Sequence, residues 1–244
     1  MEVLGIDIGG SGIKGAPVDI ERGVLTRERY KLLTPQPATP DAVAAAVADL
    51  VAHFEWQGPI GCTFPAVVRR GVVYSAANMD HAWVGVDGAA LFRQTTDSPV
   101  TLLNDADAAG VAEMRLGAGR GREGVVMVLT FGTGIGSALL IDGRLVPNTE
   151  LGHLEFRRGE AEHYAAARVR KEEKLSWHEW GTRVDRFLKY LDRLFSPDLF
   201  IVGGGVSRKF ERFSEALTVA AEVVPALLEN EAGIIGAALV SSES

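Results

Sequence analysis

The first twenty residues contain two apolar stretches on either side of a glycine turn. "EVLGIDIG" is rich in Ile and Val and ends in glycines, so it predicts a strand that runs into a turn. After the turn, "IKGAPVDI" combines near alternation with a glycine, a proline and β-branched residues, which also favours a strand. The pattern therefore predicts a β-hairpin at the start of the chain.

The same pattern returns in "GVVMVLTFGTGIGSALLIDGRLV". An apolar strand from Val125 to Phe131 meets Gly132, Gly134 and Gly136 and continues as a second apolar strand. Each hairpin opens a stretch of mixed strand and helix, as a duplicated lobe would. We therefore predict an α/β protein with two lobes facing each other across a cleft. One lobe would comprise residues 1–113 completed by a C-terminal helix over 230–244, and the other residues 114–229.

Capping signals and apolar spacing predict the other elements. Thr39 as N-cap and Pro40 at the first helical position indicate one helix, and Ser176 with Glu179 forms a capping box for another. "NDADAAGVAEMRLG" and the small-residue ending "NEAGIIGAALVSS" predict helices, and "DLFIVGGGVSRKF" a strand, a third glycine turn and a helix. Further strands are predicted at 59–64, 66–68 and 99–103.

The first glycine turn also fits a dinucleotide-binding fingerprint. Gly10, Gly12 and Gly15 have the spacing G-x-G-x-x-G. A Rossmann turn is followed by a helix whose N-terminus meets the pyrophosphate, whereas here a strand follows. A P-loop is excluded as well, because Lys14 precedes its glycine. The glycines therefore indicate a different kind of phosphate site.

Composition narrows the class of protein. The 244 residues carry 32 acidic and 25 basic side chains, a net charge of −7, which argues against a general nucleic-acid binder. That charge does not exclude a polyanionic substrate bound in a local basic groove. Candidate contributors are Arg69, Arg70, Arg120, Arg122 and the 168–174 segment, although each of these could simply form a solvated face. The single cysteine, Cys62, excludes an internal disulfide and a cysteine zinc cluster, and its apolar neighbours predict a buried side chain. Neither a membrane span nor a signal peptide is evident, so we expect a cytoplasmic protein.

Candidate catalytic residues lie at the first hairpin and at the strand-to-helix junction. Backbone N–H groups of a tight glycine hairpin can approach phosphate oxygens, Asp7 could hold Mg²⁺ or its water shell, and Lys14 could supply a charge. Asp105 could accept the proton of an attacking hydroxyl that Asn104 orients, or the pair could simply cap the helix. Asp107 is better explained by the helix dipole.

Two polar stretches suit a carbohydrate. "NTELGHLEF" brings Glu150, His153 and Glu155 together, with Glu162 shortly after, and such groups can bind sugar hydroxyls or form an ordinary polar loop. A metal at Glu150 and His153 lacks a second histidine at ligand spacing. "AANMDHAW" adds the mixture of Asn78, Asp80, His81 and Trp83 that is common in carbohydrate pockets.

Five motifs occur in the order found in one known family. "DIGGSGIKG", "NDADAAG", "TFGTGIGSAL", "ELGH" and "VGGGVS" resemble the ROK family (repressors, open reading frames, kinases) over nearly the whole chain. The family belongs to the actin-like, ribonuclease H-like ATPase superfamily. "IDIGGSGIKGAPVD" and "LVPNTELGHLEF" are more similar to its polyphosphate-using glucokinases. The resemblance implies transfer of a phosphoryl group to the 6-hydroxyl of glucose from inorganic polyphosphate, and also from ATP, with Mg²⁺, in a cytoplasmic homodimer.

The resemblance also assigns roles to residues. It makes Asp105 the catalytic base, and it places Asp7 at the metal, through water. The sugar ligands it implies are Asn78, Asn104, Asp105, Glu150, His153 and Glu162. The donor phosphates would contact Asp7, Gly9, Gly10, Ser11, Gly12, Lys14, Gly132, Thr133, Gly134 and Gly204.

Two departures from the family pattern matter. Many members carry a cysteine-rich zinc motif after "GH", but "HLEFRRGEAE" has no cysteine, so zinc is not expected. The segment around Glu162 reads "EHYAAAR" and lacks the usual serine and glycine. Alternatives are an ATP-dependent kinase for glucose or another hexose such as mannose, and a sugar sensor without catalysis, which the intact Asn104–Asp105 pair argues against. The partners expected are glucose and the donor, with no nucleic acid and no membrane.

Overall fold

The computed structural model of the protein describes residues 1–77 and 79–243, which form strands and helices joined mainly by short turns. The strands are β1 (Glu2–Ile8), β2 (Gly12–Asp19), β3 (Val24–Leu25), β4 (Tyr30–Leu33), β5 (Ile60–Phe64), β6 (Val68–Arg69), β7 (Val72–Val73), β8 (Val100–Asn104), β9 (Val125–Phe131), β10 (Ile135–Ile141), β11 (Arg144–Val146), β12 (Glu155–Phe156), β13 (Gly159–Glu160), β14 (Leu199–Gly203) and β15 (Glu222–Pro225). The α-helices are α1 (Pro40–His53), α2 (Gly88–Thr96), α3 (Asp105–Leu116), α4 (Glu162–Ala165), α5 (Ala167–Glu172), α6 (Trp177–Phe195) and α7 (Ala232–Ser241). Among these described residues, no helix is both long and apolar enough to cross a membrane.

The chain divides into two compact units, Met1–Ala112 together with the C-terminal segment from Glu231, and Glu113–Asn230. In the first unit, the main sheet runs β3-β2-β1-β5-β8, with β4 also paired to β2. β1 and β2 form an antiparallel hairpin, whereas β1, β5 and β8 are parallel. Parallel strands end at the same edge of a sheet, so the polar residues that follow β1 and β8 share that edge.

Helix α7 packs on the first sheet at close range because both surfaces are built from small residues. A Cβ on Gly61 of β5 would lie 1.9 Å from the carbonyl oxygen of Ala237. One on Gly236 would lie 1.9 Å from the carbonyl oxygen of Ala108 in α3. Glycine at these positions lets backbone meet backbone, as the small-residue pattern of the C-terminal helix predicted.

The second unit repeats this plan. Its five-stranded sheet runs β11-β10-β9-β14-β15, with β9 and β10 antiparallel and β9, β14 and β15 parallel. The amphipathic helix α6 buries one face, including Trp180, Phe187 and Leu191, and the predicted capping box of Ser176 and Glu179 is present at its start. Both glycine hairpins predicted from the sequence are therefore confirmed.

Two sequence-based expectations differ from the structure. The helix expected after the third glycine turn is instead a short, kinked 3₁₀ segment over Ser207–Arg212. The strand expected at 66–68 is only the two-residue β6 (Val68–Arg69). Short apolar runs give little information about how far a strand extends, because neighbouring strands decide its length.

Candidate active site

The first glycine turn positions a carboxylate against a lysine. Cross-strand register places Asp7 of β1 opposite Lys14 of β2, and Lys14 Nζ lies 2.8 Å from Asp7 Oδ2. Thr63 of β5 donates its hydroxyl to the other carboxylate oxygen at 2.7 Å. Both charged side chains are about three-quarters or more buried, so their positions are well defined.

The loop that joins β1 and β2 is fixed by its carbonyl groups. The amide of Gly9 donates to the carbonyl of Gly12 at 3.0 Å, and Thr34 donates its hydroxyl to the carbonyl of Gly9. Lys31 of β4 pairs in register with Lys14, and a Cβ on Gly12 would lie 2.8 Å from Lys31 Cε. Lys31 therefore adds a second cation beside the turn, which no local sequence pattern could have indicated.

Asp7 suits a contact with a hydrated magnesium ion. Each carboxylate oxygen has one protein partner and retains a second lone pair, which could accept a hydrogen bond from a metal-bound water. Magnesium keeps several of its waters in protein sites, so such an outer contact agrees with its chemistry. A magnesium ion bound directly to Asp7 Oδ2 would instead compete with Lys14 for that oxygen.

The junction of β8 and α3 separates the roles of Asn104 and Asp105. Asn104 is buried, and its Oδ1 accepts from the amides of Ala106 and Asp107 at 2.8 and 3.1 Å while its Nδ2 donates to the carbonyl of Ala66. Asn104 is thus the helix cap. Asp105 follows it as an exposed carboxylate. The Asp105 carboxylate accepts from the amide of Ala106 at 2.8 Å, and its exposure lets a substrate hydroxyl reach it.

The second glycine turn, between β9 and β10, lies under a glutamate. The amide of Gly132 donates to the carbonyl of Gly134 at 3.0 Å, and Thr133 at the tip is exposed. A Cβ on Gly134 would lie 2.4 Å from Glu162 Oε2, and the same oxygen accepts from the amide of Ile135. A side chain at position 134 would therefore displace the Glu162 carboxylate from the turn.

The loop that carries Glu150 and His153 is anchored to β10. The buried Ser137 hydroxyl donates to the carbonyl of Thr149 and accepts from the amide of Leu151 at 3.0 Å. Gly152 packs so closely on β10 that a Cβ would lie 2.1 Å from the carbonyl oxygen of Ile135. These contacts on both sides of Glu150 fix where its side chain leaves the backbone.

Four titratable groups lie close together here: Glu150 and His153 on the loop, and Glu160 and Glu162 beside it. His153 Nδ1 lies 3.2 Å from Glu160 Oε2, and its Nε2 lies 3.8 Å from Glu150 Oε2. Burial opposes charging of the ring, but the hydrogen bond with Glu160 and the charges of Glu162, Glu160 and Glu150 outweigh it and raise the pKa of His153. Burial also raises the pKa of Glu150; nearby His153 partly offsets this, and Glu162 adds to it. The loop therefore presents an imidazole ring, which stays protonated to higher pH than a free one, among hydrogen-bond acceptors.

His153, Glu160 and Glu162 could also hold a metal ion, since one ligand atom from each lies within 4.8 Å of the others. Glu160 was not among the residues selected from the sequence. It stands seven positions after His153 and reaches the ring only because β12 and β13 form a hairpin. The absence of zinc stays a prediction.

A cavity of about 640 Å³ opens beside the second glycine turn, within the second unit. Its wall includes Gly132, Thr133, Trp177, Gly205 and every residue of α5 except the buried Val169. Gly204 has φ +79°, and a Cβ there would lie 2.5 Å from the carbonyl oxygen of Phe131. The third glycine turn therefore also needs glycine, here to pass close to β9.

Comparison with known proteins decides the family. The model of the ROK family matches residues 3–163. The chain belongs to the ROK family. It is 51% identical over 239 residues to a polyphosphate glucokinase of Mycobacterium tuberculosis, covering 98% of this chain and 90% of that protein. The polyphosphate glucokinase of Mycobacterium leprae is also 51% identical, over 98% of this chain and 74% of its own.

Solved ROK structures agree with the fold. The inorganic polyphosphate/ATP-glucomannokinase of Arthrobacter sp. strain KM superposes with a TM-score of 0.94 at 48% identity, covering 99% of this chain and 98% of that one. A ROK glucokinase of Streptomyces griseus, solved with glucose and AMPPNP, gives 0.85 at 25% identity, covering all of both chains. The predicted actin-like α/β fold is thereby confirmed.

The other stretch that suited a carbohydrate, "AANMDHAW", has mainly structural contacts where the structure describes it. Asn78 lies outside the described residues. Asp80 caps a 3₁₀ turn over His81–Trp83 by accepting from the amide of Ala82 at 2.8 Å. Trp83 has no exposed surface and donates its indole N–H to the carbonyl of Ala38, so it belongs to the core and not to the surface of a carbohydrate pocket. Cys62 is fully buried, as predicted, and burial raises the pKa of its thiol.

Proposed function

We propose that the protein is a phosphotransferase that moves a phosphoryl group from inorganic polyphosphate, and also from ATP, to the 6-hydroxyl of glucose. The observation that carries the proposal is the exposed Asp105 carboxylate beside a buried Asn104 cap, in a chain 51% identical to polyphosphate glucokinases over 98% of its length. The mycobacterial polyphosphate glucokinase and the Arthrobacter polyphosphate/ATP-glucomannokinase support this donor and this acceptor.

In the proposed reaction, Asp105 accepts the proton of the glucose 6-hydroxyl as that oxygen attacks the terminal phosphorus of the donor. The new O–P bond forms while the bond to the bridging oxygen breaks. The shortened polyphosphate, or ADP, leaves with that oxygen's electron pair. When bound, Mg²⁺ neutralises charge on the donor phosphates, and Asp7 holds its water shell.

The sugar ligands are proposed to be Asn104, Glu150, His153 and Glu162, together with Asn78. An N–H of His153 donates to a sugar hydroxyl, and the carboxylates accept from hydroxyl groups, so the set offers both kinds of hydrogen-bond partner that a sugar needs. The Oδ1 of Asn104 accepts from two helix amides, which fixes the orientation of the side chain. Its Nδ2 donates one hydrogen to the carbonyl of Ala66, and the second hydrogen is proposed to bind the sugar.

The donor phosphates are proposed to contact the two glycine turns. In the first unit these are Gly9 to Gly12 and Lys14, and in the second Gly132 to Gly134, with Gly204 beside the donor's far end. Backbone amides of such turns bind phosphate oxygens without interference from a side chain. Lys14 adds a positive charge close to the Asp7 carboxylate.

Replacing the base tests this assignment. We expect Asp105→Asn to keep the fold and glucose binding, because asparagine retains the oxygen that accepts from the amide of Ala106. Its kcat should fall by about 10²- to 10⁴-fold, the usual contribution of a general base. Asp41→Asn, in the first turn of α1, is a matched control and should keep wild-type kcat. Near-normal kcat in Asp105→Asn would refute the assignment.

Donor and acceptor are tested by steady-state kinetics with glucose or mannose against long-chain polyphosphate or ATP. The name of the Arthrobacter glucomannokinase makes mannose the second acceptor to test. Sugar phosphate formed with ATP alone would favour the ATP-dependent alternative, and no sugar phosphate with either donor would favour a sugar sensor. We further propose a cytoplasmic homodimer from the family resemblance, which light scattering on the purified protein tests for oligomeric state.

A further inference from the structure

The cavity beside the second glycine turn is strongly basic. Four of its lining side chains are cationic, Arg168, Arg170, Lys171 and Lys209, and one, Glu172, is acidic. The amide of Arg168 donates to the carbonyl of Gly132 at 3.1 Å, which ties α5 to the turn. A ligand held at that turn therefore extends into a wall of positive charge.

One of these cations covers the aromatic face in the cavity. Arg170 Cζ lies 4.0 Å from the centre of the Trp177 ring, and Arg170 Nη1 donates to the carbonyl of Leu175 at 3.2 Å. Trp177 also stacks on Phe213, with ring centres 6.0 Å apart, and meets Trp180 edge to face. The ring is thus packed into the protein, and the guanidinium is held on it by two contacts.

The stacking of Arg170 on Trp177 should affect the binding of polyphosphate and of a nucleoside triphosphate in opposite ways. A guanidinium stacked on a ring keeps N–H groups at its edge, where they can bind phosphate oxygens. A polyphosphate chain offers such oxygens along its whole length. A purine offers a flat aromatic surface, and Arg170 already occupies the indole face on which it would stack.

We propose that Arg170, held on Trp177, is a donor-specificity residue that favours polyphosphate over a nucleoside triphosphate. The inference rests on the proposed function and extends it by naming what selects the donor. Arg170 binds the chain beyond the transferred phosphoryl group and keeps a nucleobase off the indole. Trp177 acts as a positioning residue for the guanidinium.

The test compares kcat/KM for long-chain polyphosphate and for ATP in wild type and Arg170→Ala. We expect the polyphosphate value to fall about tenfold while the ATP value is unchanged or higher, since a single cation–phosphate contact is lost and an aromatic face is uncovered. The slope of log(kcat/KM) for polyphosphate against log salt should become shallower by about one unit. ADP, as an inhibitor competing with polyphosphate, should bind more tightly to the variant.

Two further variants separate specificity from general damage. Arg170→Lys keeps the charge without the planar group, so it should restore the salt slope but only part of the donor preference. Arg193→Ala removes the same charge from an exposed site on α6, outside the cavity wall, and should leave the preference unchanged. Thermal unfolding of each variant confirms that it is folded.

The possible failures are distinguishable. Wild type that uses ATP but not polyphosphate refutes the proposed donor, and with it this inference. Wild type that uses polyphosphate while Arg170→Ala keeps the same polyphosphate-to-ATP ratio refutes the inference alone. Equal losses with both donors give Arg170 a general role in place of a selective one and overturn the proposal as well.

Discussion

His153 carries its positive charge to higher pH than a free imidazole, because carboxylates surround it. Burial lowers the pKa of the ring, but the Glu160 hydrogen bond and the charges of Glu162, Glu160 and Glu150 outweigh it. The folded state therefore binds the proton more tightly than the unfolded chain. The resulting stabilisation is complete below the unfolded pKa and is lost as pH rises through the folded pKa.

Removing one carboxylate tests whether these acidic neighbours raise the pKa of His153. Glu160→Gln replaces the charged partner of His153 Nδ1 with a neutral amide, so we expect the pKa of His153 to fall. The pH above which glucose KM rises should fall with it, while kcat at low pH changes little. NMR titration of the imidazole signals, assigned with His153→Ala, measures the pKa directly. The control is Glu155→Gln, which sits opposite Glu160 in the β12–β13 hairpin. An unchanged pKa in Glu160→Gln would contradict the role given to that carboxylate.

At the scale of elements, the close packing of helix α7 against its neighbours requires glycine at the contact positions. Gly236→Ala would place a Cβ 1.9 Å from the carbonyl oxygen of Ala108, and a backbone atom cannot rotate away. We expect a loss of about 3 kcal/mol in the free energy of unfolding, the upper range for overpacking. Gly159→Ala, with no heavy atom within 4 Å of its new Cβ, should change it by less than about 0.5 kcal/mol. Urea denaturation compares the two, and equal midpoints would rule out the packing argument.

Local patterns predicted those elements whose determinants are themselves local. The hairpins follow from alternation around glycines, and α1 and α6 begin where Thr39 and Ser176 cap them. The contact between Glu160 and His153, the stacking of Arg170 on Trp177 and the burial of Trp83 join residues through tertiary packing. No spacing rule encodes such contacts, which is why the sequence suggested Trp83 for a sugar and did not single out Glu160.

At the scale of the whole molecule, helix α7 belongs to the same compact unit as Met1–Ala112, although more than a hundred residues separate them along the chain. α7 contributes Ile234, Ile235 and Leu239 as buried side chains and packs against β1 and β5. The first sheet therefore cannot bury that face until α7 has been synthesised. Burial of three large apolar side chains is a substantial part of the stability of one small unit.

Truncation tests this dependence. A chain that ends at Asn230 lacks α7, so we expect amide hydrogens of β1 and β5 to lose their protection, as followed by hydrogen exchange with mass spectrometry. Because that chain could fail to fold altogether, Ile235→Ala provides a milder variant. It should lower the free energy of unfolding by about 2–5 kcal/mol and speed exchange in the same strands. Deleting only residues 243 and 244 is the control and should leave protection intact. If β1 and β5 stay protected without α7, the first sheet is stable on its own and the C-terminal helix serves another purpose.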